Sequence, residues 1–278
     1  MKQLVFLLLI ILPMTQLKTQ PAEVLAAFQP GQFTSSTGHQ LPYRVLWPVG
    51  YKQDTTHRYP MVLFLHGAGE RGTDNQLQLT HGAALFLANQ TAYPAIVVVP
   101  QCATEDYWAQ MEKDTLGNRF FNFDEVPNPS LAAVTELLNQ FLQTEQTDPE
   151  RIYLMGLSMG GMGTFELLAR QPQTFAAAVP ICGGTNPALV PIYGTQVPLW
   201  IFHGTDDGVV EVIHSRRVVA ALKRLGVATA IPNTPVSGTA VGTMLSPNPN
   251  SWRGCLATAA SSNPLFLDRF CTPFRQAR

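Results

Sequence analysis

The chain is poor in charge: only 13% of its 278 residues are Asp, Glu, Lys or Arg, and the formal net charge is -1. That is about half the usual charged fraction, which excludes a charge-solvated disordered protein. No run of basic residues offers a phosphate-neutralising surface, so nucleic acid is not an expected partner. Four cysteines are too few for a disulfide scaffold. No CxxC pair or closely spaced Cys and His set suggests zinc, and neither metal nor other cofactor is expected. No apolar run reaches the ~20 residues that a membrane-spanning helix needs.

What apolar run there is stands near the start. Leu4 to Leu12 is unbroken and follows Met1-Lys2-Gln3, the pattern of a secretory leader. Val24-Leu25-Ala26 supplies acceptable residues for cleavage. The sequence therefore divides into a signal peptide (1–26), a folded domain (27–226) and a tail (227–278). Export to the periplasm or beyond is expected.

Within the domain, short apolar runs recur at Met61–Leu65, Ala95–Val99, Ile152–Met155, Ala176–Ile181 and Leu199–Phe202. They do not alternate with polar residues, so both faces should be buried, as in parallel strands covered by helices. Tyr43–Trp47 reads as an antiparallel edge strand. A helix is predicted from Leu131, with Val134, Leu137, Leu138, Phe141 and Leu142 on one face. Asn128-Pro129 opens it and Asp148-Pro149 closes it. A second helix carries Val218, Val219, Leu222 and Leu225 and stops at Gly226. The fold class is α/β with a mostly parallel, doubly wound sheet.

Three segments carry chemistry. Gly156-Leu157-Ser158-Met159-Gly160 follows an apolar strand and precedes a helical stretch, the strand–turn–helix context of a nucleophile elbow. Leu65-His66-Gly67-Ala68-Gly69 closes an earlier strand, where backbone N–H groups of Ala68 and Met159 would hold an oxyanion and His66 would brace the loop. His203-Gly204-Thr205-Asp206-Asp207 ends the last clear strand. Asp207 is preferred to Asp206 as the acid that orients a histidine, since it stands two residues before Val209-Val210; one of the pair would cap the next helix.

With these motifs stand FLHGAGERGTDN (64–75), VVPQC (98–102), RIYLMGLSMGGMGTFELLARQP (151–172), AAAVPICGG (176–184) and PLWIFHGTDDGVV (198–210). Together, over about Leu41 to Gly226, they resemble the exported α/β-hydrolase esterases of the dienelactone hydrolase and polyhydroxybutyrate-depolymerase-like group. The resemblance implies the α/β-hydrolase fold and ester hydrolysis through an acyl-enzyme on Ser158. It places Glu70, Arg71, Tyr107 and Trp108 on the substrate side. The substrate would be a small-molecule or polysaccharide ester. Cys102 and Cys182, at strand ends, could pair or stay free.

One part of such a site is missing. The resemblance calls for a histidine after the final strand, yet the six histidines are His39, His57, His66, His81, His203 and His214. His214 sits in the wrong element to substitute. From Val227 onward there is no Lys or Glu and no clear strand or amphipathic helix, so the last strand and helix are expected to be missing or disordered. Read one base out of register, Val236–Thr239 permits Gly-Val-Gly-His, and its neighbours permit a strand and a helix. A one-base frameshift near Gly226–Ala230 accounts for this. The expectation is a serine esterase impaired by loss of its base; the alternatives are a prolyl-oligopeptidase-like peptidase or a non-catalytic relative.

Overall fold

The computed structural model describes residues 21–144 and 146–229. The Leu4–Leu12 run and nearly all of the tail, with its expected strand and helix, lie outside the described residues. The chain enters through α1 (Ala22–Ala27), β1 (Gln29–Thr34) and β2 (Gln40–Leu46). Then come β3 (Tyr59–Leu65), α2 (Ala83–Asn89), β4 (Ile96–Pro100) and a hairpin, β5 (Met111–Lys113) with β6 (Arg119–Phe121). Helix α3 (Pro129–Leu142), β7 (Thr147–Leu157), α4 (Met159–Arg170) and β8 (Ala177–Ile181) follow. The short α5 (Val190–Tyr193) and α6 (Ile213–Arg224) complete the described part.

The main sheet has the order β1-β2-β4-β3-β7-β8. β4, β3, β7 and β8 run parallel, while β1 and β2 are antiparallel additions. Alternate residues of the parallel strands enter two cores. Met61, Leu63, Ile152 and Leu154 pack with α3, α4 and α6 residues; Val62, Phe64, Tyr153 and Met155 pack with α1 and α2 residues. Burial on both faces is why these strands read as continuous apolar runs.

Several expectations are corrected. Tyr43–Trp47 is not the edge: β2 is antiparallel as read, but β1 pairs along its outer side. The β1 sequence, QPGQFT, holds Pro and Gly and no fully buried residue, so it gave no strand signal. Asp148-Pro149 does not close α3; the helix ends at Leu142 and both residues begin β7. Leu199–Phe202 does lie parallel beside β8 as read: Ala178 N donates to Pro198 O, Trp200 N to Ala178 O, Phe202 N to Pro180 O and Cys182 N to Phe202 O.

The helix ends show local chemistry. Pro129 is at the start of α3 as read, but the Asn128 side chain donates to Tyr107 and Ala109 carbonyls instead of capping. Asp106 Oδ2 caps the helix from a distance, accepting from Ser130 N at 2.6 Å. Gly226, at φ +77°, ends α6 in the left-handed conformation that favours glycine. The carboxyl ends of β3, β7, β8 and the Leu199–Phe202 segment all open on one edge of the sheet, where α/β proteins bind ligands.

Candidate active site

Ser158 stands between β7 and α4 with φ +54° and ψ -112°, a backbone conformation that L-residues rarely adopt. The flanking glycines make this turn possible. A Cβ on Gly156 would overlap the Gly160 carbonyl, and one on Gly160 would overlap the Leu65 carbonyl at the end of β3. Ser158 N donates to Ile181 O at 2.7 Å, tying the turn to β8. Met159 is the first residue of α4, so its amide has no acceptor within the helix and belongs to the positive end of the helix dipole.

The loop after β3 comes up against this turn. The position of a Cβ on Gly67 lies 3.8 Å from Ser158 Cβ. His66 holds the loop: Nδ1 is 2.6 Å from Gly67 O, Nε2 is 3.0 Å from Cys102 N, and its own carbonyl accepts from Trp108 Nε1 at 3.1 Å. A carbonyl only accepts and an amide only donates, which assigns the neutral ring with its proton on Nδ1. Burial pushes the His66 pKa down to about 4, with the Arg71 charge acting in the same direction and the Gly67 bond opposing. His66 thus braces the loop and has no free nitrogen for proton transfer.

Ala68 opens a short 3-10 turn, Ala68–Glu70, and is packed against the core. Arg71 Nε and Nη1 donate to Ala68 O at 3.0 Å and Asp106 O at 3.1 Å, and its guanidinium lies over the Tyr107 ring. Trp108 is fully buried, edge-on to His66. Glu70 is buried as well; burial raises its pKa, with His81 and the Gly67 backbone opposing. The sequence reading missed Gln101, which is fully buried and straps the loop: Nε2 donates to Glu70 O and Asp74 Oδ1, and Oε1 accepts from Asn75 N.

Asp207 Oδ1 accepts from Val209 N at 2.8 Å and Val210 N at 2.9 Å, fixing its carboxylate. Its Oδ2 lies 3.8 Å from His203 Nε2. Asp206 is exposed. Neither aspartate caps α6, which starts at Ile213 with no side-chain cap. His203 is committed elsewhere, with Nε2 2.7 Å from Val210 O and Nδ1 2.7 Å from Ser215 Oγ. His214 packs edge-on to Phe121 and its Nε2 lies 3.2 Å from Glu211 Oε2.

Cys102 and Cys182 are both buried and unpaired, so no disulfide joins them. Cys182 Sγ, His203 and Asp207 bring one ligand-type atom each within 4.8 Å of one another. Burial, the largest cause, raises the Cys182 thiol to about 12, and Asp207 adds to it. A neutral thiol and a ring hydrogen-bonded at both nitrogens fit a packed polar cluster better than a metal ligand set.

Residues 34–229 match the family model Esterase, described as "Putative esterase". The chain is 28% identical over 166 residues to a bifunctional acetylxylan esterase/xylanase of Neocallimastix patriciarum, covering 59% of this chain and 21% of that one. It is 26% identical over 198 residues to a "Probable carboxylesterase" of Oryza sativa subsp. japonica, covering 65% and 81%. The solved structure of a thermostable esterase superposes with a TM-score of 0.72 at 31% identity, covering 84% of this chain and 64% of that one. The chain thus spans about a fifth of the fungal relative and has the α/β-hydrolase fold.

Proposed function

Because the chain belongs to this esterase family, we propose that it is a serine hydrolase of carboxylic esters, with Ser158 as nucleophile. The observation that carries the reading is the Ser158 backbone, held at φ +54° between two glycines that close packing forbids to be anything larger. The Ser158 oxygen attacks the ester carbonyl, and the amides of Ala68 and Met159 hold the oxyanion. The alcohol departs, and water then releases the acid from the acyl-enzyme. Asp207 has the fixed carboxylate of a triad acid.

The reading includes impairment. All six histidines lie among the described residues; His66 and His203 have both ring nitrogens engaged, and His214 reaches Glu211. The base belongs to a segment displaced by the proposed frameshift. The relative named for acetylxylan favours acyl esters on a plant polysaccharide as substrate. Export follows from the Leu4–Leu12 run. Val24 is buried in the core and Arg44 Nη1 donates to Leu25 O and Phe28 O, which favours cleavage before Ala22 over cleavage after Ala26.

The test is p-nitrophenyl acetate turnover by the chain as it stands and by a chain carrying the in-register tail. Little or no turnover in the first, and turnover in the second that Ser158→Ala abolishes, is the expected result. Turnover that survives Ser158→Ala overturns the assignment.

A further inference from the structure

His203 is a buried ring that the proposed mechanism leaves unused, and both of its nitrogens are engaged. A buried polar side chain is costly unless fully partnered, so the direction of those bonds matters. Ser158 N donates to Ile181 O at 2.7 Å, and the amide of the next residue, Cys182, donates to Phe202 O at 2.7 Å. His203 follows Phe202 directly. Its Nε2 lies 2.7 Å from Val210 O, and Val210 N donates to Asp207 Oδ1 at 2.9 Å. This path from nucleophile to acid passes through one connecting side chain, the His203 ring. The ring is held on its other side as well. Nδ1 is 2.7 Å from Ser215 Oγ on α6, and that oxygen is 2.9 Å from Gly183 O, two residues past β8.

Val210 O only accepts, so Nε2 carries a proton. Burial lowers the His203 pKa, against the Val210 bond and the Asp207 charge, so at neutral pH the ring is neutral and Nδ1 is an acceptor for Ser215. The loop that His203 grips has little else beneath it at Gly208 and Val209, which are exposed, while Val210 is buried. Arg119 Nη2 holds the outer flank by donating to Val209 O.

We propose that His203 is a positioning residue of this hydrolase: through Val210 it sets where the Asp207 carboxylate stands relative to Ser158, and Ser215 aligns its ring for that task. The inference rests on Ser158 and Asp207 being nucleophile and acid. A triad acid works by direction, so a carboxylate that swings is a carboxylate lost to catalysis. His203 itself exchanges no proton with substrate.

Amide hydrogen exchange at Val209 and Val210, with urea unfolding alongside, tests this in the full chain as it stands. The variants are His203→Asn, His203→Gln and Ser215→Ala. An Asn amide takes the place of Nδ1 and a Gln amide that of Nε2, so only Gln keeps a donor on Val210 O. In His203→Asn both amides should exchange about tenfold faster, while Val218 and Leu222 of α6 stay protected; His203→Gln should stay near wild type. Ser215→Ala should give a smaller rise at the same two amides, and it decides alone if His203→Asn does not fold. Unchanged exchange at Val209 and Val210 in the variant that decides overturns the inference. So does equal loss in the Asn and Gln variants with α6 loosened to match, which is what packing alone would give. In a chain with the in-register tail, His203→Asn should lower kcat on p-nitrophenyl acetate about tenfold with KM within about twofold, and His203→Gln should recover most of it. A wild-type kcat in His203→Asn overturns the inference. Turnover that is absent from the wild-type in-register chain, or that survives Ser158→Ala, strikes the esterase reading instead, and the exchange rates still decide whether His203 holds the acid.

Discussion

The indole Nε1 of Trp108 donates a 3.1 Å hydrogen bond to the carbonyl of His66, which lies 42 positions earlier in the chain. The two rings also meet edge to face at 5.3 Å. Through this pair the long segment after β4 braces the Gly67–Ala68 loop beside Ser158, the loop that carries one of the proposed oxyanion donors.

Trp108→Phe keeps the bulk of the ring but removes the donor. The buried His66 carbonyl then loses that partner, at a cost of about 2 kcal/mol in urea unfolding. In a chain with the in-register tail, kcat on p-nitrophenyl acetate should fall more than KM rises, because the donors act mainly on the transition state. An unchanged kcat in a destabilised variant would separate the pair from the oxyanion loop.

Ser158 stores backbone strain. Ser158→Gly relieves the positive φ, whereas Ser158→Ala keeps it. Both variants should lose fluorophosphonate labelling, yet the glycine variant should be the more stable of the two by about 1 kcal/mol. Equal stabilities would show that the turn is not strained in solution.

His66 makes stability fall in acid. Its folded pKa of about 4 lies below its ordinary value of 6.5, so the unfolded chain binds the proton first. Its contribution is whole above about pH 6.5 and is lost as pH falls toward about 4, amounting to about 2–3 kcal/mol between about pH 7 and 4.5. Glu70 and Glu166, both raised mainly by burial, oppose this loss, since the folded chain takes up their protons early. Unfolding of wild type and His66→Gln at the two pH values isolates the histidine: the variant should lose less stability on acidification.

The tail gives a prediction at the level of the gene. Reading the codons after Gly226 in the shifted register should yield Gly-Val-Gly-His where Val236–Thr239 now stands. The chain so restored should raise turnover at least 10²-fold. A stop codon in that register near Gly226 removes the explanation.

The parallel core and the elbow were legible because their causes are local. Apolar runs such as Met61–Leu65 declare burial on both faces, and Gly156-x-Ser158-x-Gly160 encodes a turn that only small residues allow. β1 was hidden because its stability comes from pairing with β2, and QPGQFT alone has no strand preference. The cap on α3 was misassigned because the Asn128 signal is real but a partner 24 residues away, Asp106, outcompetes it. Trp108 was placed on the substrate side and is instead buried under the loop, since no spacing rule tells a bracing aromatic from a lining one. Glu70 was expected to face substrate and is buried, a placement set by a loop geometry that only three dimensions show.

The two unpaired cysteines among the described residues turn the core into its own clock. Cys102 and Cys182 are buried, and each thiol is pushed up to about 12, chiefly by burial. At neutral pH neither offers a thiolate or a path to a reagent, so alkylation waits for the chain to open. The rate at which iodoacetamide modifies these two positions therefore counts opening events. Because one follows β4 and the other β8, peptide-resolved alkylation would tell whether the two ends of the parallel sheet come apart together or in turn.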